Sequence, residues 1–258
     1  MPELPDLTVF SDNLTSKLKG KSVQSIEYHK DKRLNVSQDV LQNALIHASL
    51  EAVRRSGKEI EFRFSNSSVL FIHLMLSGGF AVTRTPETVK FKVMTIYFAD
   101  GIALVVKDPK GLVTVNLNPT TSNVPDSLDV DEAYLRKKIS EKPKLLAKAF
   151  LIDQSIVRGI GNAYADEILW LARISPKSIV AKIPDAEIEV LLSSMRTVLI
   201  EAIDEIRKTS PEIISGEVRD FLKIHNPNRQ HSPSGRLIIK EQVASKTTYF
   251  TDEQVLYV

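Results

Sequence analysis

The chain of 258 residues contains no cysteine at all. It therefore has no disulfide framework, no thiolate zinc site and no cysteine nucleophile, and a reducing, cytoplasmic compartment is expected. The N-terminus lacks a basic flank followed by a long apolar run, and no apolar stretch approaches the ~20 residues of a membrane span. These absences predict a cytoplasmic protein that is neither secreted nor inserted in a membrane.

An excess of charge of one sign is also lacking. The 34 Lys and Arg residues nearly balance 32 Asp and Glu residues, which leaves a net charge of only +2. Residues 133–150 form the one basic stretch, with six basic residues and a single acid, Glu141. Such a run is more often a solvated face than a nucleic-acid site, so total charge indicates no partner.

Hydrophobic periodicity changes along the chain. Residues 4–18 have helical spacing, whereas residues 21–116 form short β-rich runs that favour a sandwich or barrel. A segment rich in Pro, Ser, Thr and Asn, residues 118–127, is typical of a linker, and helical periodicity follows it. Two final β-like runs predict a hairpin whose tip lies near Lys246. We predict an α+β, multi-domain fold.

The opening sequence, MPELPD, presents a candidate catalyst. Removal of Met1 would leave Pro2 with a secondary amine, and a terminal amine titrates near ~8, well below the ~10.4 of lysine. Addition of this amine to C1′ of a sugar would give an iminium, with Glu3 as the neighbouring proton donor. Alternatively, Pro2 and Glu3 merely begin a helix, where proline and acids are favoured.

Two further segments are candidates for phosphate contacts. In DQSIVRGIGNAYADEILW, Gly159 and Gly161 interrupt two helical runs just before Asn162, an arrangement that suits a phosphate at a helix start. A simple turn between packed helices is the alternative. In VRRSGKEIEFRF, Lys58 and the arginines before it are predicted to lie on a loop that contacts a DNA backbone, or else to be solvated.

The histidines indicate little chemistry. His73 lies within an apolar run and is predicted to be a core histidine. His225 and His231 make a poor zinc site without cysteine or an acidic cluster.

Taken together and in this order, these segments resemble the formamidopyrimidine-DNA glycosylase and endonuclease VIII family of base-excision repair enzymes. PELPD resembles the opening Pro-Glu-Leu-Pro-Glu of the formamidopyrimidine branch, and DQSIVRGIGNAYADEILW is similar to its helix-two-turn-helix signature. Weaker similarity extends over RRSGK, HLMLSG, KDP and GEVRDFL, so that it covers essentially the whole chain.

The resemblance implies four parts: an N-terminal helix and β-sandwich over residues 1–120, a linker over 121–132, a helix-two-turn-helix domain over 133–224, and a zincless hairpin over 225–258. It also implies a monomer that binds double-stranded DNA containing oxidised bases or abasic sites, in a cleft that receives a flipped base.

Residue roles follow from the same resemblance. Pro2 would be the nucleophile, Glu3 the proton donor and Lys58 a loop lysine that contacts phosphate. The remaining implied DNA contacts come from the glycine turn, the DPKGLV loop and the hairpin, namely Gly159, Gly161, Asn162, Lys110 and Lys246.

Departures from the family pattern concern lesion recognition and the tail. Leu76 replaces a wedge methionine, Gly111 and Leu112 replace an arginine and a phenylalanine, and Asp6 replaces a supporting glutamate. Lys246 replaces an arginine and so lacks its planar fork. The four cysteines of the family's zinc finger align with His231, Ser234, Thr251 and Gln254. No cofactor is expected, and apolar packing is predicted to hold the tail.

Three functions remain open from the sequence. The first is a bifunctional glycosylase and abasic-site lyase for formamidopyrimidines, oxidised pyrimidines or 8-oxoguanine. The second is a catalytically inactive module that binds damaged DNA. The third is a ribosome- or RNA-associated helical protein, although the sequence lacks the regularly spaced aromatics that stack on single strands.

Overall fold

The computed structural model describes residues 1–29 and 33–258. The chain divides into two compact units. The first unit comprises Met1–Thr121 and Ile206–Glu217, and the second comprises Ser122–Glu205 and Val218–Val258. The return of residues 206–217 to the first unit is a feature that the boundaries predicted from sequence do not contain.

Helices and strands alternate in the order expected of an α+β protein. The α-helices are α1 (Leu4–Leu18), α2 (Gln38–Leu45), α3 (Glu132–Glu141), α4 (Ala147–Ile152), α5 (Asn162–Leu171) and α6 (Asp185–Thr209). The strands are β1 (Val23–Tyr28), β2 (Leu50–Ser56), β3 (Glu59–Phe64), β4 (Val69–His73), β5 (Gly79–Thr83), β6 (Lys92–Phe98), β7 (Ala103–Lys107), β8 (Thr114–Leu117), β9 (Ile239–Val243) and β10 (Lys246–Phe250).

The first unit is a β-sandwich, as predicted. Its two four-stranded sheets have the strand orders β1-β6-β7-β5 and β2-β3-β4-β8, and neighbouring strands are antiparallel. Their inward-facing side chains share one core, in which Phe62 of one sheet meets Phe80 of the other edge to face at 5.9 Å.

Helix α1 covers this core because its apolar residues lie on one face. Leu7, Phe10, Leu14 and Leu18 are spaced by three or four residues and are almost completely buried. Each such side chain contributes roughly 1.5–3 kcal/mol of burial free energy. Hydrogen bonds fix the helix along strand β2: the Thr15 hydroxyl donates to the Val53 carbonyl (2.9 Å) and accepts from the Val53 N–H (3.1 Å).

Two strands were not recognised in the sequence. Arg54 and Arg55 belong to strand β2, so their prediction as loop residues is wrong. Strand β5 begins at Gly79, directly after a second glycine, which conceals its pattern.

The second unit combines α3, α4, α5, most of α6 and the β9–β10 hairpin. A buried ion pair joins two of these helices, because the Lys148 ammonium on α4 lies 2.7 Å from the Asp166 carboxylate on α5 and both side chains are fully buried. The Lys148 ammonium also donates to the Thr248 hydroxyl of β10 at 2.7 Å. Other charges of the basic stretch pair near the surface, as Lys138 does with Glu141 and Lys142 with Asp153. Within the described ranges, no helix combines the length and apolar character needed to cross a membrane.

Candidate functional site

The start of α1 holds Pro2 and Glu3, and both are buried. Glu3 is the N-cap residue of the helix and forms a capping box with Asp6. The Glu3 carboxylate accepts from the Asp6 N–H, and the Asp6 carboxylate accepts from the Glu3 N–H at 2.9 Å. Because Asp6 is fully buried, the shorter side chain at this position is sufficient to complete the box. The terminal amine of Met1 pairs with the carboxylate of Glu217.

Lys58 lies in the tight turn between β2 and β3, after Gly57 with φ +59°. Arg55 ties this turn to α1, since its guanidinium donates to the Thr8 hydroxyl (2.9 Å) and to the Gly57 carbonyl (3.2 Å). The strand that carries Lys58 and the helix that carries Pro2 and Glu3 are therefore fixed to each other. The sequence gave no sign of this role for Arg55.

His73, at the end of β4, is partly exposed, so the prediction of a core histidine is wrong. Its Nδ1 accepts the Met75 N–H at 3.0 Å, which places the ring proton of the neutral form on Nε2. Burial lowers the pKa of the His73 imidazole, and the positive charge of Lys58 lowers it further.

Asp108 organises the loops that carry the two candidate wedge residues. Its buried carboxylate accepts the N–H groups of Lys110 (3.0 Å) and Val113 (2.9 Å), the N–H of Leu112 and the hydroxyl of Ser77. Burial acts to raise the pKa of this carboxyl, but the Ser77 hydroxyl and the three N–H groups hold the pKa below its usual value.

Leu76, next to Ser77, has 56% of its side chain exposed, and Leu112 is half-buried. The first unit thus presents both apolar candidates on loops that one carboxylate anchors.

In the second unit, the turn between α4 and α5 contains both predicted glycines. Gly159 has φ +107°, a conformation that favours glycine, whereas Gly161 is the N-cap of α5 at φ −120°, which any residue adopts. Gln154 stabilises the turn, because its side chain accepts the Gly159 N–H (3.0 Å) and donates to the Ile160 carbonyl (2.9 Å). Only one of the two glycines is therefore required by backbone geometry.

Asn162 and Lys246 lie close together in this unit. Asn162 is the first residue of α5, and its amide nitrogen donates to the Thr247 carbonyl at 2.9 Å. Lys246 is exposed and follows a two-residue turn, Ala244 and Ser245, in which both residues have positive φ. The first residue of the helix after the glycine turn thus holds the hairpin beside the lysine.

The tail does not fit zinc. Of its four aligned positions only His231 offers a ligand that zinc prefers, and the others are occupied by hydrogen bonds. The Gln254 side chain accepts the Thr251 N–H (2.9 Å), and the Ser234 hydroxyl donates to the Glu253 carboxylate (2.7 Å). No group of three or more potential metal ligands occurs among residues 1–29 and 33–258. That the protein needs no zinc stays a prediction.

A carboxylate stands at the centre of this tail. Glu253 accepts from the Ser234 hydroxyl and pairs with Arg173 at 2.6 Å, and these contacts lower the pKa of Glu253 to about 2. Val243, Tyr249 and Phe250 are buried in the hairpin as well. Purely apolar packing was therefore an incomplete prediction, since a polar network also holds the tail.

This network predicts a pH dependence. The folded pKa of Glu253 lies below its unfolded value, so its contribution is present above about pH 4.5 and is lost as the pH falls towards 2. We expect Glu253→Gln to lower unfolding stability at pH 7, with the difference from wild type shrinking below pH 4.5. Urea unfolding followed by the fluorescence of Trp170, the single tryptophan, measures this, because Arg173 lies 5.8 Å from the Trp170 ring.

Asp252→Asn is the matched control, since Asp252 is exposed and its nearest cation, Arg236, is 3.7 Å away. A Glu253→Gln effect that is the same at pH 3 and pH 7 would contradict the role of the carboxylate.

Comparison with known proteins gives one consistent result. Residues 1–115 match the formamidopyrimidine-DNA glycosylase N-terminal domain, and residues 122–212 match the formamidopyrimidine-DNA glycosylase H2TH domain. The formamidopyrimidine-DNA glycosylase of Mycoplasma genitalium is 29% identical over 97% of this chain and 94% of its own length. That of Lactococcus lactis subsp. cremoris is 28% identical over 97% of each protein.

Solved structures agree with the sequence comparison. The structure of a complex between the Lactococcus lactis Fpg and DNA containing an abasic site matches with a TM-score of 0.85 and 26% identity, over 97% of this chain and 98% of that one. Both matched domains, the relatives and the shared fold lead to one conclusion: the chain belongs to the formamidopyrimidine-DNA glycosylase and endonuclease VIII family, on its formamidopyrimidine branch, and is a DNA glycosylase of base-excision repair.

Proposed function

We propose that the protein is a bifunctional DNA glycosylase and abasic-site lyase that removes oxidised bases through an N-terminal proline. The observation that carries this proposal is the capping box at the start of α1, which holds the Glu3 backbone directly after Pro2. A nucleophile and a proton donor adjacent in the chain, on a rigid helix end, satisfy the geometric demand of covalent catalysis.

The reaction begins after Met1 is removed, because an amide nitrogen has no free electron pair for attack. The neutral Pro2 amine forms a bond to C1′, and the bond from C1′ to the base breaks with its electron pair leaving on the base, which is protonated. The C1′–O4′ bond then opens, O4′ takes a proton from Glu3, and an iminium joins Pro2 to C1′.

Strand cleavage follows from the iminium, which acidifies the hydrogens on C2′. Loss of one C2′ proton expels the 3′ phosphate, and a second elimination expels the 5′ phosphate. Water then hydrolyses the iminium and restores the free Pro2 amine.

The other conserved-type positions receive binding roles under this proposal. Lys58 and Lys110 contact phosphates from the first unit, and Asn162 and Lys246 do so from the second. The N–H groups at the start of α5, after Gly159 and Gly161, add to the phosphate site. Leu76 and Leu112 occupy the base stack once the damaged nucleotide is extruded, and Asp6 supports Glu3.

Formamidopyrimidines, oxidised pyrimidines and abasic sites are the proposed substrates, with the protein acting as a monomer. Lactococcus lactis Fpg has been captured with DNA containing Fapy-dG and with abasic-site DNA, which supports these classes. Gly111 has no side chain to fill a vacated stack, and Leu112 is smaller than an aromatic residue. We therefore propose that 8-oxoguanine opposite cytosine is processed less efficiently than formamidopyrimidines.

Borohydride trapping on duplexes that carry an abasic site, a formamidopyrimidine or 8-oxoguanine tests the proposal. Intact mass reports the presence of Met1 and of the covalent adduct in one measurement. An adduct on Met-free protein is the expected result. Tight binding to the same duplexes without an adduct would instead favour the second candidate, a damage-binding module without turnover, for which the altered wedge and the lysine at position 246 are the supporting observations.

The role of Lys58 can be tested through salt. We expect Lys58→Ala to weaken duplex binding and to reduce the slope of log K against log salt by about 0.9, the value for one phosphate contact. Lys19→Ala removes an exposed lysine from the same unit and is the matched control. An unchanged slope in Lys58→Ala would rule out the phosphate contact.

A further inference from the structure

The first unit contains a cavity of about 540 Å³ that Pro2 helps to line. Its volume lies within the range of small-molecule sites, roughly 300–1,000 Å³. Leu76, Phe91, Lys90 and Lys107 are among its other lining residues. The cavity therefore combines the proposed nucleophile with one aromatic face and two ammonium groups.

The wall of this cavity is constructed by close backbone approach. A Cβ on Gly79 would lie 2.0 Å from the Ser215 hydroxyl, and one on Gly78 would lie 2.3 Å from the Leu74 carbonyl oxygen. Any larger residue at either position would displace the segment that returns to this unit at residues 206–217. The pair of glycines thus defines the shape of the cavity.

Phe91 is out of keeping with an ordinary core residue. All ten phenylalanines lie in the described part of the chain, and only Phe91 has an exposed ring, with 58% of its surface accessible. Its φ of +58° is an outlier for a bulky side chain. Strain of this kind concentrates at binding and catalytic sites, where the surrounding structure imposes it.

The surroundings of Phe91 do impose its conformation. It lies between a short 3-10 helix, Pro86–Thr88, and strand β6, where the register with β7 shifts between Lys92 and Met94. Its carbonyl accepts the N–H of Asp108 at 2.8 Å. Asp108 is also the residue whose carboxylate anchors both wedge loops, so the ring and the wedges are fixed by the same residue.

We propose that Phe91 stacks on the flipped damaged base in this cavity and so selects planar oxidised bases. The inference rests on the proposed function, because it is the attack of Pro2 on C1′ that brings the attached base to the cavity. Stacking on an aromatic ring is how extruded bases are commonly held, and it tolerates any base with a flat face. Lys90 and Lys107 supply donors for the additional carbonyl oxygens of an oxidised base.

Comparison of substrates with and without a base tests this role. In single-turnover assays, Phe91→Ala is expected to slow excision of a formamidopyrimidine about tenfold to a hundredfold, the loss of one stacking interaction. Borohydride trapping on a preformed abasic site should change by no more than about twofold, because that substrate has no base to stack. Phe91→Trp, which restores a ring, should recover excision.

The control is Val40→Ala, which shortens another exposed apolar side chain of the first unit, on α2. Equal losses on the formamidopyrimidine and abasic duplexes, or no loss on either, would overturn the proposal. Failure of wild type to form an adduct on the abasic duplex would instead overturn the proposed chemistry. In that case, binding of a duplex whose lesion carries a cleavage-resistant 2′-fluorinated sugar still tests Phe91, since only a stacking residue makes Phe91→Ala weaken lesion binding more than abasic-site binding.

Discussion

Pro2→Gly is expected to lower the rate of borohydride trapping on an abasic-site duplex by about tenfold to a hundredfold, while binding of the same duplex stays within about twofold. Glycine retains a terminal amine after removal of Met1, but this amine is primary. A secondary amine gives an iminium that is always positively charged, whereas an imine from a primary amine must first be protonated to draw electrons from C2′. The Pro2 ring therefore matters for the elimination steps as well as for attack.

Two controls separate chemistry from folding in this experiment. Pro5→Gly removes the same ring from the first turn of α1 and should trap as wild type does, after correction for the folded fraction. Within any one sample, molecules that retain Met1 should give no adduct, because their Pro2 nitrogen is an amide. Equal trapping by wild type and Pro2→Gly, or an adduct on Met-bearing molecules, would show that another amine is the nucleophile.

Local sequence patterns were sufficient for the elements with clear periodicity. The helix predicted over residues 4–18 is α1 with the same bounds, and the final β-like runs form the predicted hairpin. The β-sandwich is confirmed as well. Strand β2 was missed because Arg54 and Arg55 look like loop residues, although Arg55 extends back towards α1 and bonds the Thr8 hydroxyl.

Contacts between distant parts of the chain could not be read from the sequence. Asp166 meets His225, 59 residues later, with 2.7 Å between its carboxylate and Nδ1, and Lys148 meets Thr248, 100 residues later. Nothing in spacing or composition relates these positions. The same holds for Phe91, since its exposure depends on a strand register shift and on the Asp108 N–H rather than on its own sequence neighbours.

The buried charges of the second unit could not be anticipated either, because the basic stretch around Lys148 reads as a solvated face. Asp166 accepts from three groups at once: the Lys148 ammonium (2.7 Å), the Tyr249 N–H (2.9 Å) and His225. Such a fully bonded cluster favours one arrangement of α4, α5 and β10 over others. A buried pair is not by itself a strong source of stability, so the larger consequence is expected when one partner is removed.

Lys148→Met is therefore expected to destabilise the second unit by about 3–5 kcal/mol, because it leaves the Asp166 carboxylate buried without its cation. Urea unfolding followed by Trp170 fluorescence reports this unit, since Trp170 lies on α5. Lys142→Met, on the same basic stretch, removes a partly exposed pair with Asp153 and should change the free energy of unfolding by no more than about 1 kcal/mol.

Adding Asp166→Asn to Lys148→Met removes the orphaned charge and should recover part of the loss, which a double-mutant cycle measures as coupling between the two residues. Equal stability of Lys148→Met and Lys142→Met would show that the buried pair does not hold these elements together. The Lys148 ammonium also lies 3.3 Å from the Thr247 carbonyl, which accepts from Asn162. Conditions under which Lys148→Met is still folded should consequently reveal weaker duplex binding, because the contact that holds Lys246 beside Asn162 has lost one of its two donors.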